Sequence, residues 1–270
     1  MKALALIASI LLLASTAGAQ VPAPPAVNDA EFKCMVGSAK AEGKFAVTKA
    51  KCISKCFQLA WKGAGPSSDC MPPYGGSTAK CIFDSTYFLK GAENKFELAM
   101  KKYCVIASYA DCPECYEGGD CATAISDRVQ ERENILDAFV PGVFCETTGA
   151  LPEEVKCQYQ TEKALTKYYA LSLNCYSKCF TEARGNGSPM EDCLPPIANS
   201  RWFGCLTSVR AKAEAAIHKY CHDTSTPAAA PECGPDPYPD GPEWVGLMAS
   251  AVESVLPKDY CASPSGAFLN

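Results

Sequence analysis

Polar and apolar residues recur with a helical period through KCMVGSAKAEGKFAVTKAKCISKC, residues 33–56. Wound as a helix from Lys33, the side chains of Lys33, Lys40, Lys44, Lys51, Lys55 and Lys62 fall on one narrow stripe. Cys34, Ala41, Phe45, Cys52, Cys56 and Leu59 fall a little over a quarter turn to one side of it, and Met35, Ala46, Ile53, Phe57 and Ala60 on the opposite side of the helix. The pattern predicts a long amphipathic helix whose apolar arc faces away from a lysine stripe. Lys49 falls between the two apolar groups and is the misfit. Asn28 or Asp29 can cap the start, with Glu31 in the first turn. Residues 63–66 supply the glycine and proline that end it. Gly37 and Gly43 each weaken a helix by up to about 1 kcal/mol, so packing and crosslinks are expected to hold it.

The same spacing is written twice. Residues 31–73 laid over 154–196 without a gap give 17 identities in 43 positions, including Cys34/Cys157, Cys52/Cys175, Cys56/Cys179 and Cys70/Cys193. The register drifts beyond that and recovers at KYC (102–104 and 219–221), at PEC (113–115 and 231–233), and at Pro141, Phe144 and Cys145 against Pro257, Tyr260 and Cys261. This reads as an internal duplication. Further amphipathic stretches predict second helices at 85–103 and 206–220 and third helices at 122–139 and 243–256, with proline stopping the third in both copies. No alternating β-branched runs compete, so the fold is expected to be all-α: two tandem homologous units, each a helical hairpin plus a third helix. The expected organisation is a signal peptide at 1–19, a linker at 20–28, a first repeat at 29–147, a second at 153–262 and a tail at 263–270.

The first twenty residues, MKALALIASILLLASTAGAQ, set one lysine before an apolar run and then Ala17, Gly18 and Ala19, the pattern of a secretory signal. About 12 apolar residues fall short of the roughly 20 that a membrane span needs, and no later stretch is long and apolar enough. The chain is therefore expected outside the cytoplasm, secreted or periplasmic. Its 18 cysteines then read as nine potential disulfides rather than as metal ligands.

Cys34 and Cys52 share a helix face yet stand roughly 27 Å apart at about 1.5 Å per residue, so neither can bridge the other. In an antiparallel hairpin the start of one helix meets the end of the next, which favours Cys34 with Cys104 and Cys157 with Cys221. The far ends then join Cys52 to Cys81 and Cys175 to Cys205, while Cys56 with Cys70 and Cys179 with Cys193 close the intervening loops. Cys115 with Cys145 and Cys233 with Cys261 would pin the third helices, and Cys112 is left for Cys121. Sequence alone does not fix connectivity, and exchanging the partners of Cys52 and Cys56 is the nearest alternative.

Candidate chemistry is sparse. The CPEC at 112–115 has redox-dithiol spacing but lies in an acidic loop, which raises a thiol pKa, and the second unit keeps one of its two cysteines. His218 and His222 share a helix face as a two-histidine metal site would, but their first-unit equivalents are Lys101 and Val105. Asp111, Glu114, Glu117 and Asp120, and separately Asp236, Asp240 and Glu243, could supply oxygen ligands to calcium, though neither set follows a known calcium-loop spacing. Residues 186–188 form a glycosylation sequon. Hydrolase elbows, zinc-protease motifs and phosphate loops are missing, so neither catalysis, cofactor nor metal is expected.

The lysine stripe is the remaining candidate. Of Lys33, Lys40, Lys44, Lys51 and Lys55, all but Lys51 recur in the second unit, as Lys156, Lys163, Lys167 and Lys178, and together these nine mark a possible anion or partner face. Charge is also segregated: residues 29–104 carry +5 and 105–146 carry −7, then 156–221 carry +4 and 222–261 carry −6. Without Lys2 the net charge is −6, too acidic for nucleic acid or an anionic membrane as the default partner. Self-association, an extracellular protein or a glycan remain as partners.

The pairs CISKC (52–56) and CYSKC (175–179) at helix ends resemble those of insect odorant-binding proteins. That resemblance implies a secreted carrier with an apolar cavity between helices, here lined by Phe45, Phe57, Phe96 and Leu98. A cavity of at least about 300 Å³ would favour the carrier, and a solid core would favour a non-catalytic binding or structural protein.

Overall fold

Asn28 starts the first helix by accepting the N–H groups of Ala30 and Glu31, while the Glu31 carboxylate takes the N–H of Asn28 in return. The structure, a computed structural model, describes residues 28–86, 90–104, 112–113, 116, 120–145, 152–188, 190–194, 200–222, 232–233, 236–237 and 239–260. The expected signal peptide at 1–19, most of the linker at 20–28 and the tail at 263–270 lie outside that set, as do Cys115, Cys261 and the side chain of Cys233.

Helix α1 runs Asp29–Trp61 and is about 50 Å long at about 1.5 Å per residue. Gly63, at φ 70°, closes it: its N–H reaches Ala60 O at 2.8 Å and that of Ala64 reaches Leu59 O at 2.9 Å. Then follow α2 (Gly76–Ile82), α3 (Ala92–Cys104), α4 (Cys121–Asp137), the single turn α5 (Val140–Val143), α6 (Pro152–Asn186), α7 (Ser200–Cys221) and α8 (Gly241–Asp259). Short 3-10 turns at Ser67–Cys70 and Met190–Cys193 follow the two long helices. The only strand pairing among the described residues is a two-residue antiparallel ladder, Glu232 opposite Pro237 and Cys233 opposite Asp236. No helix among them is long and apolar enough to cross a membrane.

The long helices α1 and α6 lie antiparallel at the centre. Asp29 meets Arg184 at 2.8 Å near one end, Gly43 packs on Ala170 midway, and Ser54 meets Glu162 towards the other end. A Cβ on Gly43 would sit 3.2 Å from Ala170 Cα, and one on Gly37 would collide with the Tyr103 ring at 2.2 Å. Both glycines are thus sites of close approach, which is what their helix-weakening cost is exchanged for. Helix α3 packs on α1, α7 on α6, and α8 on α6, α7 and α1. Met35, Phe45, Phe57, Met100, Ile125, Leu165, Tyr169, Phe180, Val245 and Val255 form one continuous core, each contributing about 1.5–3 kcal/mol by burial. Phe57 stacks on Phe144 at 4.1 Å, and Phe180 meets Tyr260 at 4.0 Å. Trp202 and Trp244 are buried in this core.

Seven disulfides join described residues: Cys34–Cys104, Cys52–Cys81, Cys56–Cys70, Cys112–Cys121, Cys157–Cys221, Cys175–Cys205 and Cys179–Cys193. Cys145 is also disulfide-bonded. Crosslinking on this scale belongs to an oxidising compartment.

Three helix boundaries differ from expectation. The helix expected at 85–103 is the shorter α3, which starts only at Ala92, with α2 a separate short helix before it: Asn94 Oδ1 accepts the N–H of Asp84 at 2.8 Å, and Gly91 lies so close that a Cβ would be 2.6 Å from that nitrogen. Its counterpart α7 is continuous, starts before 206 and carries both Cys205 and Cys221. Proline does not stop α8. Pro257 lies inside its last turn, which the Tyr260 N–H still closes onto Leu256 O at 3.0 Å. Pro141 sits in the first turn of α5, where a missing N–H costs nothing.

Candidate functional site

Among the described residues, buried charge gathers chiefly in two ion-paired clusters and one lone acid, apart from an outer set of lysines. At the buried centre Arg132, 0% exposed, reaches Glu42 Oε2 at 2.9 Å, Asp259 Oδ1 at 2.8 Å and Glu131 Oε2 at 2.8 Å. Arg128 joins Asp259 at 2.7 Å and stacks over the Tyr116 ring at 3.5 Å, and Tyr169 donates its hydroxyl to Glu42. Four helices, α1, α4, α6 and α8, are thereby tied at one point. Burial opposes the charge on Arg132, but Glu42 and Asp259 outweigh it and hold the guanidinium well above its ordinary pKa. Burial pushes Glu42 up to about 7, with Arg132 opposing.

A second cluster surrounds Lys49, the misfit of the sequence pattern. Its ammonium lies 2.8 Å from Glu133 and 2.7 Å from Asp137, and 5.2 Å from the Tyr74 ring centre. Tyr74 donates to Asp137, and Glu93 shares a hydrogen bond with Glu133. Burial and that carboxyl neighbour push Glu93 up to about 8. The apolar arc of α1 therefore contains two charges, Glu42 and Lys49, and each has its partner waiting on α4.

Glu162 is different. It is buried, it accepts a hydrogen bond from Ser54, and burial pushes it up to about 8 against that hydrogen bond. At neutral pH it is a neutral acid. It lies between an interior crevice of about 20 Å³, room for one water, and an outer cleft.

That outer cleft, about 490 Å³, runs between α1 and α6 and is walled by Lys51, Lys55, Lys163 and Lys167 over a floor that includes Val47, Ala50, Ser54, Tyr159 and Glu162. A neighbouring cleft of about 640 Å³ shares Lys51 and adds Lys40, Lys44 and Lys95. A smaller one of about 150 Å³ between α6 and α7 shares Lys163 and Lys167 and adds Lys212. Eight lysines thus line three adjoining clefts, and Glu162 is their single carboxyl among the described residues. Among the described residues none of the eight has an ion pair. Cations gathered in a concave, low-dielectric surface with so little counter-charge focus a positive potential there.

Of the nine lysines singled out in the sequence, Lys40, Lys44, Lys51, Lys55, Lys163 and Lys167 come together on this face. Lys33, Lys156 and Lys178 are exposed but line none of its clefts. Lys95 and Lys212 were invisible in the sequence because they lie on α3 and α7, outside the stripe. Glu42 and Glu162 were missed too, though each falls on the apolar side of its helix, which was the available signal.

The other sequence candidates resolve differently. Cys112 is bonded to Cys121, so CPEC holds no free dithiol. Asp120 and Asp240 are helix caps: Asp120 accepts the N–H groups of Ala122 and Thr123, and Asp240 that of Glu243. His222 donates to Pro239 O at 3.3 Å, and the ring of His218 lies 6.3 Å from its own. Asp111, Glu114, Glu117 and the side chain of Asp236 lie outside the described residues. Of the four side chains of the expected carrier cavity, Phe45 and Phe96 stack at 5.1 Å and both line the open 640 Å³ cleft, whereas Phe57 stacks on Phe144 in the core and Leu98 is exposed.

Compared with protein-family models, curated proteins and solved structures, the chain matches none.

Proposed function

We propose that this chain is an exported, non-catalytic binding protein, built from two homologous disulfide-crosslinked units, that takes an anionic partner on the lysine face over α1 and α6. The observation that carries the reading is the eight lysines on three adjoining clefts where, among the described residues, Glu162 is the one carboxyl. Burial keeps that carboxyl protonated near neutral pH, so it does not cancel the surrounding charge.

Recurring detail supports the two-unit reading. Bridges of 70, 29 and 14 residues in the first half answer bridges of 64, 30 and 14 in the second. Ser38 Oγ touches Cys104 Sγ at 3.5 Å, and Thr161, its counterpart, touches Cys221 Sγ at 3.3 Å. The aromatic pair Phe57–Phe144 is likewise answered by Phe180–Tyr260. In this arrangement the central pair of long helices brings together two copies of one ancestral lysine stripe.

Calorimetric titration with dextran sulfate tests the face. The intact protein should bind it with an affinity that falls as salt rises, and the variant Lys51→Gln/Lys55→Gln/Lys163→Gln/Lys167→Gln should bind roughly tenfold or more weakly. Equal binding by the two proteins would sink the proposal.

A further inference from the structure

The form and lining of the lysine face narrow the anion it takes, an inference that rests on the anion-binding reading above. Lys40, Lys44, Lys51 and Lys55 stand in one row along α1, about 22 Å from first to last at about 1.5 Å per residue. Lys163 and Lys167, on antiparallel α6, face the end of that row across the 490 Å³ cleft. Two rows along a seam suit charges repeated on a line, whereas a compact anion would engage one end and leave the rest idle.

Among the described residues all the cations of the three clefts are lysines, and no arginine lines any of them. Arginine's planar fork reads a carboxylate or phosphate in fixed geometry, whereas lysine is a mobile point charge that tolerates variable spacing. Between the rows lie neutral hydrogen-bonding groups, Ser54, Gln58 and Thr166, together with the Tyr159 ring. A protein partner would need a buried anchor at the centre of the contact. Yet the exposed large apolar side chains, Leu59, Phe83, Leu98, Phe203 and Leu247, line none of these clefts.

We propose that the seam between α1 and α6 binds a linear acidic polysaccharide, with its sulfate or carboxylate groups on the lysine rows and its hydroxyls over the neutral floor. Negative charge on such a chain recurs at every few bonds, and its uncharged hydroxyls need the acceptors and donors that an acidic peptide would leave unused.

The test uses the full-length protein with its disulfides intact, titrated with size-fractionated oligosaccharides of alternating uronic acid and sulfated glucosamine, and separately with poly-L-glutamate and tripolyphosphate. Affinity for the oligosaccharides should climb with length until they span the row of about 22 Å and then level off. It should fall roughly ten- to a hundredfold in the quadruple Lys→Gln variant. Gln58→Ala with Thr166→Val should weaken oligosaccharide binding and leave poly-L-glutamate binding unchanged, with circular dichroism and thiol count as folding controls. Poly-L-glutamate or tripolyphosphate binding as tightly as the longest oligosaccharide would overturn the polysaccharide while leaving the anion face standing. If none of the three probes binds, or if the quadruple variant binds undiminished, both readings fall. Concentration-dependent self-association in sedimentation that the quadruple variant abolishes would assign the face to a second copy of the chain and overturn the polysaccharide as well.

Discussion

Lys49 and Lys51 are two residues apart on one helix and live in opposite electrostatic regimes. Lys49 is 1% exposed, held by Glu133 and Asp137 and flanked by the Tyr74 ring. Lys51 is exposed between two clefts and has no ion pair among the described residues. A half-turn of helix separates charge that holds the protein together from charge free to meet something else. Buried cations are tolerable only when paired, because desolvation costs several kcal/mol per ion. Exposed lysines face no such demand, so their lack of partners is a property of the surface composition, and eight of them line the three clefts.

Breaking the buried side of the comparison should have the largest effect. Arg132→Met would leave Glu42 with only the Tyr169 hydroxyl and Asp259 with only Arg128, each carboxylate 2% exposed or less at the side chain, and should lower unfolding free energy by about 3–5 kcal/mol. Guanidinium titration under non-reducing conditions measures it, and a loss no larger than that of a surface substitution would show that the four-helix junction is not held by this pairing. Lys49→Met should cost less, about 1–3 kcal/mol, because Glu133 and Asp137 are 17% and 18% exposed and water can reach them once the ammonium is gone.

The pH dependence sharpens the same contrast. Glu162 has an ordinary pKa of 4.5 in the unfolded chain and is pushed up to about 8 by burial in the fold. Between those values the unfolded chain binds fewer protons than the folded one, so stability falls as pH rises from about 5 to about 8. Glu42 and Glu93, raised to about 7 and about 8, add to the decline with the same sign. Glu162→Gln should flatten the slope by up to about 1.4 kcal/mol per pH unit, read from unfolding midpoints at several pH values. An unchanged slope would mean that Glu162 is already ionised in the fold.

Helices and their crosslinking chemistry were legible in the sequence because both obey short-range rules. The helical period places Cys34 and Phe45 on one side and Lys44 on the other, and helix rise forbids Cys34 from reaching Cys52. The late start of α3 at Ala92 was not legible, because it goes with Asn94 reaching back to the Asp84 N–H and with the closeness of Gly91. Nor was the fate of Lys49, whose carboxylates lie 84 and 88 positions away on α4. The lysine face was half legible. Periodicity marked its rows on α1 and α6 separately, but only the antiparallel packing of those helices sets Lys51 and Lys55 across from Lys163 and Lys167.

The smallest expected change in stability belongs to the exposed side. Lys44→Gln alters a side chain with no ion pair among the described residues, on a helix held by Cys34–Cys104 near one end and Cys52–Cys81 towards the other. Its unfolding free energy should stay within about 0.5 kcal/mol of the parent. Its affinity for a long polyanion should nonetheless fall, and the slope of log affinity against log salt should shrink by roughly one. The Lys33→Gln change on the same stripe, outside the clefts, should leave both quantities where they were. If Lys33 and Lys44 gave the same salt slope, the polyanion would be reading the overall charge of α1 rather than the walls of its clefts, and the division between structural and available lysine would stop at burial.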